Sequence, residues 1–248
     1  MRKNVLFATA LATSLAVLPP LAGAADLTVS AAASLTNAFR ELAQSFEAAH
    51  PGDKVLLNFA ASDALVQQIA KGAPVDVFAS ADQEAMDKAQ ALKLVAPGTR
   101  RDFASNTVVL VVPVGGRIAS LADLKTAGRL TTGNPASVPI GRYTEEALTK
   151  AGLWQALQPK FVFGTSVRQS LDYVARGEAD AGFLYATDVM AQKDKVKAVL
   201  TLPTATPVHY PIAVIANAQQ PRLARQFTDY AVSAAGQAIL AKYGFGKP

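Results

Sequence analysis

The chain has 248 residues, half of them hydrophobic and 17% charged, a composition that builds packed cores and excludes a disordered tail. It contains no cysteine, which excludes disulfides and thiolate chemistry. A formal net charge of +5 is too mild and too evenly spread to point to nucleic acid.

Residues 1–25 have the layout of an export signal. Arg2 and Lys3 form a basic start, residues 5–18 are almost wholly apolar, and Pro19-Pro20 breaks the run. Ala22-Gly23-Ala24 then offers small residues for cleavage after Ala24 or Ala25. The apolar run falls short of the ~20 residues that span a bilayer. Its removal takes away Arg2 and Lys3 and no acidic residue, so the net charge falls from +5 to +3. The expectation is an exported, soluble protein.

Residues 27–46 introduce a unit that the chain uses repeatedly. A β-branched strand (27–30) runs into three alanines and a helix opening at Ser34, with Leu35, Ala38, Phe39, Leu42 and Phe46 on one face. Ser34 stands where an N-cap belongs. A strand ending in small residues before a hydroxyl-capped helix makes a site for an anion. The pattern recurs at strand 55–59, Ala60-Ala61-Ser62 and helix 63–71, and at strand 75–79, Ser80-Ala81-Asp82 and a helix to about 92. Three strand–helix units in a row predict a parallel sheet with helices on its faces.

Residues 97–105 read as polar and irregular, and 107–112 as a β-branched strand buried on both faces or crossing between lobes. A short helix at 121–125, strand 130–132, helix 140–150, strand 161–163, helix 167–176 and strand 180–184 ending at Tyr185 come next. After a short helix come strands 196–201 and 208–216, then helices over 221–235 and 237–243. The β-branched runs near residues 108 and 212 enclose a piece with its own β/α pattern. The fold class is therefore α/β with two lobes, each a mostly parallel sheet flanked by helices, joined by two crossing strands. Lobe 1 is expected over 26–107, with 212–248 returning to it, and lobe 2 over 108–211.

Catalytic chemistry finds little footing. There are two histidines, His50 in a helix-ending turn and His209 inside a strand, and no G-x-S-x-G. Metal ligands do not cluster, and neither Walker A nor G-x-G-x-x-G occurs. Glu145, Glu146 and Asp172 read as solvated helix-surface charges. What stands out is a set of hydroxyl-bearing strand ends: Ser34, Ser62, the Gly164-Thr165-Ser166 turn before Val167, and Tyr185. Singly, each serine is more simply a helix cap. Together they fall at the carboxyl ends of strands, where open α/β sheets bind ligands, and they offer an anion neutral donors without counter-charges.

The chain resembles the molybdate-binding periplasmic proteins of bacterial ABC importers, within the type II two-lobed solute-binding proteins. The likeness runs from Leu27 to Phe245 and is carried by AAASLTNAF (31–39), FAASDALVQQI (59–69), GAPVDVFASAD (72–82), VPIGRY (138–143), SVRQSLDYV (166–174) and GFLYATD (182–188). It implies a tetrahedral oxyanion between the lobes, bound by donors from Ser34 and Ser62, N–H groups near Ile140 and Val167, and the hydroxyl of Tyr185. It implies no catalysis, no cofactor and no free metal cation, with molybdate or tungstate as ligand and a membrane permease as partner. Two positions depart from the family's pattern: Asp63, where a small or hydroxyl residue is usual, and Ile140, where the usual residue is smaller. Asp63 is expected to face solvent at a helix start, where an acid favours the dipole. The alternatives are another ligand such as sulfate, phosphate or an organic acid, a hydrolase using Ser166 or Ser62, and a sensor that binds without transport.

Overall fold

The computed structural model describes residues 25–248; the expected signal peptide lies outside them except for Ala25. Strand β1 (Asp26–Ala32) passes through a 3-10 turn (Ala33–Leu35) into α1 (Thr36–Ala49). Then come β2 (Lys54–Ala60), α2 (Ser62–Ala70), β3 (Val77–Ala79) and α3 (Gln83–Ala91). Only Thr107 separates β4 (Arg101–Asn106) from β5 (Val108–Pro113). The next stretch comprises β6 (Leu130–Gly133), α4 (Pro139–Lys150), α5 (Trp154–Leu157), β7 (Phe161–Gly164), α6 (Val167–Ala175), β8 (Ala181–Tyr185), α7 (Ala186–Ala191) and β9 (Val196–Leu202). The chain closes with β10 (Val208–Val214), α8 (Pro221–Val232) and α9 (Ala234–Lys242).

These strands form two five-stranded sheets, ordered β2-β1-β3-β10-β4 and β7-β6-β8-β5-β9. In the first, β1 runs parallel to β2 and β3, while β10 is antiparallel to β3 and β4. The second repeats the scheme: β6 is parallel to β7 and β8, and β5 is antiparallel to β8 and β9. Each sheet is the floor of one lobe. The first packs α1 and α8 on one face through Phe39, Phe46, Phe103 and Phe227, whose rings meet edge to face at 5.2–6.1 Å. Its other face is covered by α2 and α3 through Leu65, Val66, Ile69 and Met86 around Phe78. Val108–Val112 of β5 is buried throughout, as its unbroken β-branched run requires.

Three expectations need correction. Residues 101–106, read as irregular, form β4; its polar side chains are accommodated because it is an edge strand that buries Phe103 and Ala104 and leaves Arg101 and Asp102 to solvent. Residues 208–211, expected in the second lobe, pair with β4 in the first sheet, since β10 lies wholly between β3 and β4. The final helices divide at Ser233, whose hydroxyl caps α9 by accepting from Gly236 N–H at 3.2 Å.

What positions the site is the close approach of helix starts to strand ends. Gly141, in the first turn of α4, lies against the Gly133–Pro135 backbone, and a Cβ there would run into the Gly133 carbonyl oxygen. Gly141→Ala is expected to lower stability by about 1–3 kcal/mol, the usual cost of overpacking, and urea unfolding measures it.

Candidate functional site

The carboxyl ends of β1, β2 and β8, and the starts of α2, α4 and α6, converge on one small cavity between the lobes. Ser34, Ser62, Ile140, Val167 and Tyr185, the five residues singled out in the sequence, all line it. Ala32, Ala33, Ala61 and Ala81 supply walls without bulk, so backbone comes close to the centre. The cavity volume is about 10 Å³, on the order of one water-sized sphere. Among the described residues no charged side chain lines it.

Three of the lining residues open helices. Ser62 is the first residue of α2, Ile140 the second of α4 and Val167 the first of α6. First-turn N–H groups have no partner within their own helix and carry the positive end of its dipole. Neither serine is the cap its position in the sequence suggested. The tight 3-10 turn takes up Ser34, and α1 starts at Thr36 with Leu35 before it. Ala61 precedes α2, and the Ser62 hydroxyl turns away from its own helix to accept from Ala81 N–H at 3.0 Å. That leaves the Ser62 hydroxyl proton free to donate.

Ser34 is oriented by residues that the sequence alone did not reveal. Asn106 Nδ2 donates to the Tyr210 hydroxyl at 3.2 Å, and the Tyr210 and Ser34 hydroxyls lie 3.0 Å apart. Either hydroxyl can donate in the Ser34–Tyr210 pair; when Tyr210 donates, the Ser34 proton is left to point elsewhere. Tyr210 is buried at a bulge in β10 where the register shifts at Pro211. The one signal for it was a tyrosine on the inward face of an apolar strand, because a buried phenol needs a partner. Burial pushes the Tyr185 and Tyr210 phenols well above the usual range, so both stay protonated donors. The Tyr185 hydroxyl lies 3.5 Å from the Ala81 carbonyl oxygen.

Charges surround the cavity without entering it. Arg168, next to Val167, donates to the Ser34 carbonyl oxygen at 3.2 Å across the cleft, and its Nε lies 3.0 Å from Asp188 as an ion pair without a well-aligned hydrogen bond. Arg142 of α4 reaches Asp63 at 2.7 Å and Asp82 at 2.6 Å in the other lobe. Asp63, expected to face solvent, is instead mostly buried, because Arg142 and Lys88 compensate its charge, and it does not line the cavity. Asp63, Asp82 and Arg142 lie within the blocks that carry the family likeness, but nothing local marks their pairing, since the partners are 60 to 79 residues apart. Ser166 caps α6, accepting from Gln169 N–H at 3.3 Å. His50 ends α1, stacked on Phe46, and His209 Nδ1 lies 3.6 Å from Asp102; neither lines the cavity.

Two α/β lobes, each built on a five-stranded sheet, with a small cavity between them give the two-lobed fold of the periplasmic binding proteins. The chain belongs to the family of bacterial extracellular solute-binding proteins, whose model matches residues 27–246. It is 38% identical to the molybdate-binding protein ModA of Escherichia coli over 91% of this chain and 90% of that protein. The substrate-binding domain of a putative molybdenum ABC transporter from Clostridium difficile superposes with a TM-score of 0.70 at 34% identity, covering 91% of this chain and all of the other. The periplasmic molybdate-binding protein of Azotobacter vinelandii, at 24% identity, shares the fold with a TM-score of 0.78 over 90% of this chain and 99% of its own.

Burial raises the pKa of Asp82 and of Asp188, in spite of Arg142 beside the first and Arg168 beside the second. Each carboxyl thus binds its proton more tightly folded than unfolded. The resulting stability is fully present below the ordinary value of 3.8 and is lost as pH rises through the raised folded values. Asp82→Asn is expected to flatten the fall in stability across that acidic window, as read from urea unfolding at a series of pH values.

Proposed function

We propose that this chain captures molybdate, and tungstate, in the cavity between its lobes and delivers the ion to the permease of an ABC importer. The observation that carries the reading is the lining: the hydroxyl residues Ser34, Ser62 and Tyr185 and the helix starts at Ser62, Ile140 and Val167, with no charged side chain among the described lining residues. The likeness to E. coli ModA over most of both chains supports molybdate in particular. Ser34, Ser62 and Tyr185 donate through their hydroxyls, and Ile140 and Val167 through backbone N–H. The protein works outside the cytoplasm as a monomer, its leader removed near Ala24 or Ala25, and it binds without catalysing. One lobe comprises residues 26–107 with the chain from 208 onward, the other the stretch between.

Selectivity follows from protons. Near neutral pH phosphate keeps a proton and needs an acceptor, whereas molybdate and tungstate are fully ionised and need donors only. Asp63, the nearest candidate acceptor in sequence, is committed to Arg142 and Lys88. A phosphate in this cavity would leave a donor unpaired, at a cost of ~1–3 kcal/mol.

Calorimetric titration with a panel of oxyanions is expected to show one molybdate per chain, with tungstate competing and phosphate failing to compete. Binding to the folded state alone also raises the melting temperature. A melting shift with sulfate and none with molybdate or tungstate would overturn the assignment. Ser34→Ala and Ser62→Ala are each expected to weaken molybdate binding by roughly 1.5–3 kcal/mol, the scale of a hydrogen bond to a charged group. Tyr185→Phe is expected to act similarly while keeping its ring packing.

A further inference from the structure

Arg142 lies outside the cavity and has no part in the donor set. Its guanidinium leaves α4 in the second lobe and meets two carboxylates of the first. Nη2 is 2.7 Å from Asp63 Oδ2 and 2.6 Å from Asp82 Oδ2, and Nε donates to Asp82 Oδ2 at 2.9 Å. Glu84 approaches Nε at 3.3 Å, and Lys88, in the same lobe as the acids, holds the other oxygen of Asp63 at 2.8 Å. The places of these residues in the chain matter. Asp63 follows Ser62 at the start of α2, and Arg142 comes two residues after Ile140 in the first turn of α4. The ion pairs therefore join two of the helix starts that face each other over the cavity.

The contact is nearly dry when the lobes are together: the side chains of Arg142, Asp63 and Asp82 are 16%, 13% and 5% exposed. An ion pair at an open surface contributes little, whereas charges shielded from water attract more strongly. Desolvation offsets part of that gain, but one guanidinium fork serving two carboxylates satisfies several donors at once. Neither acid shares a lobe with Arg142, so any separation of the lobes breaks every contact between Arg142 and the two acids.

The geometry points to Arg142, with Asp63 and Asp82, as a clasp that holds the lobes shut over the bound ion and sets how fast it leaves. Arg142 is a positioning residue, since it touches neither the cavity nor its contents. Leaving requires the clasp to break in every molecule, whereas entry uses those ligand-free molecules in which it is already open. The clasp therefore acts on the release rate rather than on the association rate. The identity of the ion rests on the proposed function; the clasp does not.

Stopped-flow release of molybdate from the wild type, Arg142→Met, Asp63→Asn and the double variant tests it. Each single change is expected to speed release about tenfold, with association within about threefold of wild type. The double variant is expected to release no faster than the faster single variant, because the two residues share one interaction. Arg142→Lys, which keeps the charge but loses the fork, is expected to fall between wild type and Arg142→Met. Release from Arg142→Met within about twofold of wild type, or fully additive effects in the double variant, would overturn the clasp. If the wild type takes up no molybdate, the proposed ligand is wrong and the clasp is read without it. The chain has no cysteine, so spin labels on Lys71→Cys and Lys150→Cys report the distance between the lobes in ligand-free protein. A longer distance in Arg142→Met than in the otherwise wild-type chain supports the clasp, and identical distributions overturn it.

Discussion

A cavity with no charged side chain among the described residues of its wall must draw its polarity from hydroxyls and backbone, and that constraint shapes most of this molecule. Unpaired N–H groups occur at helix beginnings, so several helices must begin at one point. Helices begin where strands end on the carboxyl side of an α/β sheet, and two such sheets facing each other bring α2, α4 and α6 to a common centre. The alanines flanking Ser34 and Ser62 and the glycine at position 141 are what this convergence requires of the sequence, since each larger side chain would hold two backbones apart.

Charge is kept one layer out. Arg142 and Arg168 stand within two residues of the cavity wall and turn outward to carboxylates and a carbonyl of the surrounding shell. The cavity thus keeps a neutral lining inside a shell of paired ions. The serines are oriented by similar indirection: Ser62 by the backbone of Ala81, Ser34 by a phenol that is itself oriented by Asn106.

Local pattern makes the α/β class and the strand-end corners legible, because β-branched runs, small residues and hydroxyls before helices are short-range signals. The edge strand β4 escapes such a reading because half of it faces solvent and its polarity imitates a loop. Caps fall one residue from their expected places at α1 and α2, and at α1 the cause is a 3-10 turn that shares a helix's opening pattern. Tyr210 and the cross-lobe acids are illegible for a different reason. Their roles come from partners 60 to 176 residues distant, and no spacing within the chain encodes such pairs.

Thr107 alone separates the edge strand of one sheet from the inner strand of the other, and residues 203–207 make the only other sheet-to-sheet passage among the described residues. Two tethers this short allow swivelling but little sliding, as with a door on two pins. Asn106 stands at one of those pins, bonded to Tyr210 on one side and to Thr187 on the other. Atoms beside a pivot travel least when it turns. Any turning of one lobe against the other about these pins would therefore displace the Asn106–Tyr210–Ser34 chain least, since all three residues belong to the first lobe and Asn106 sits at the pivot.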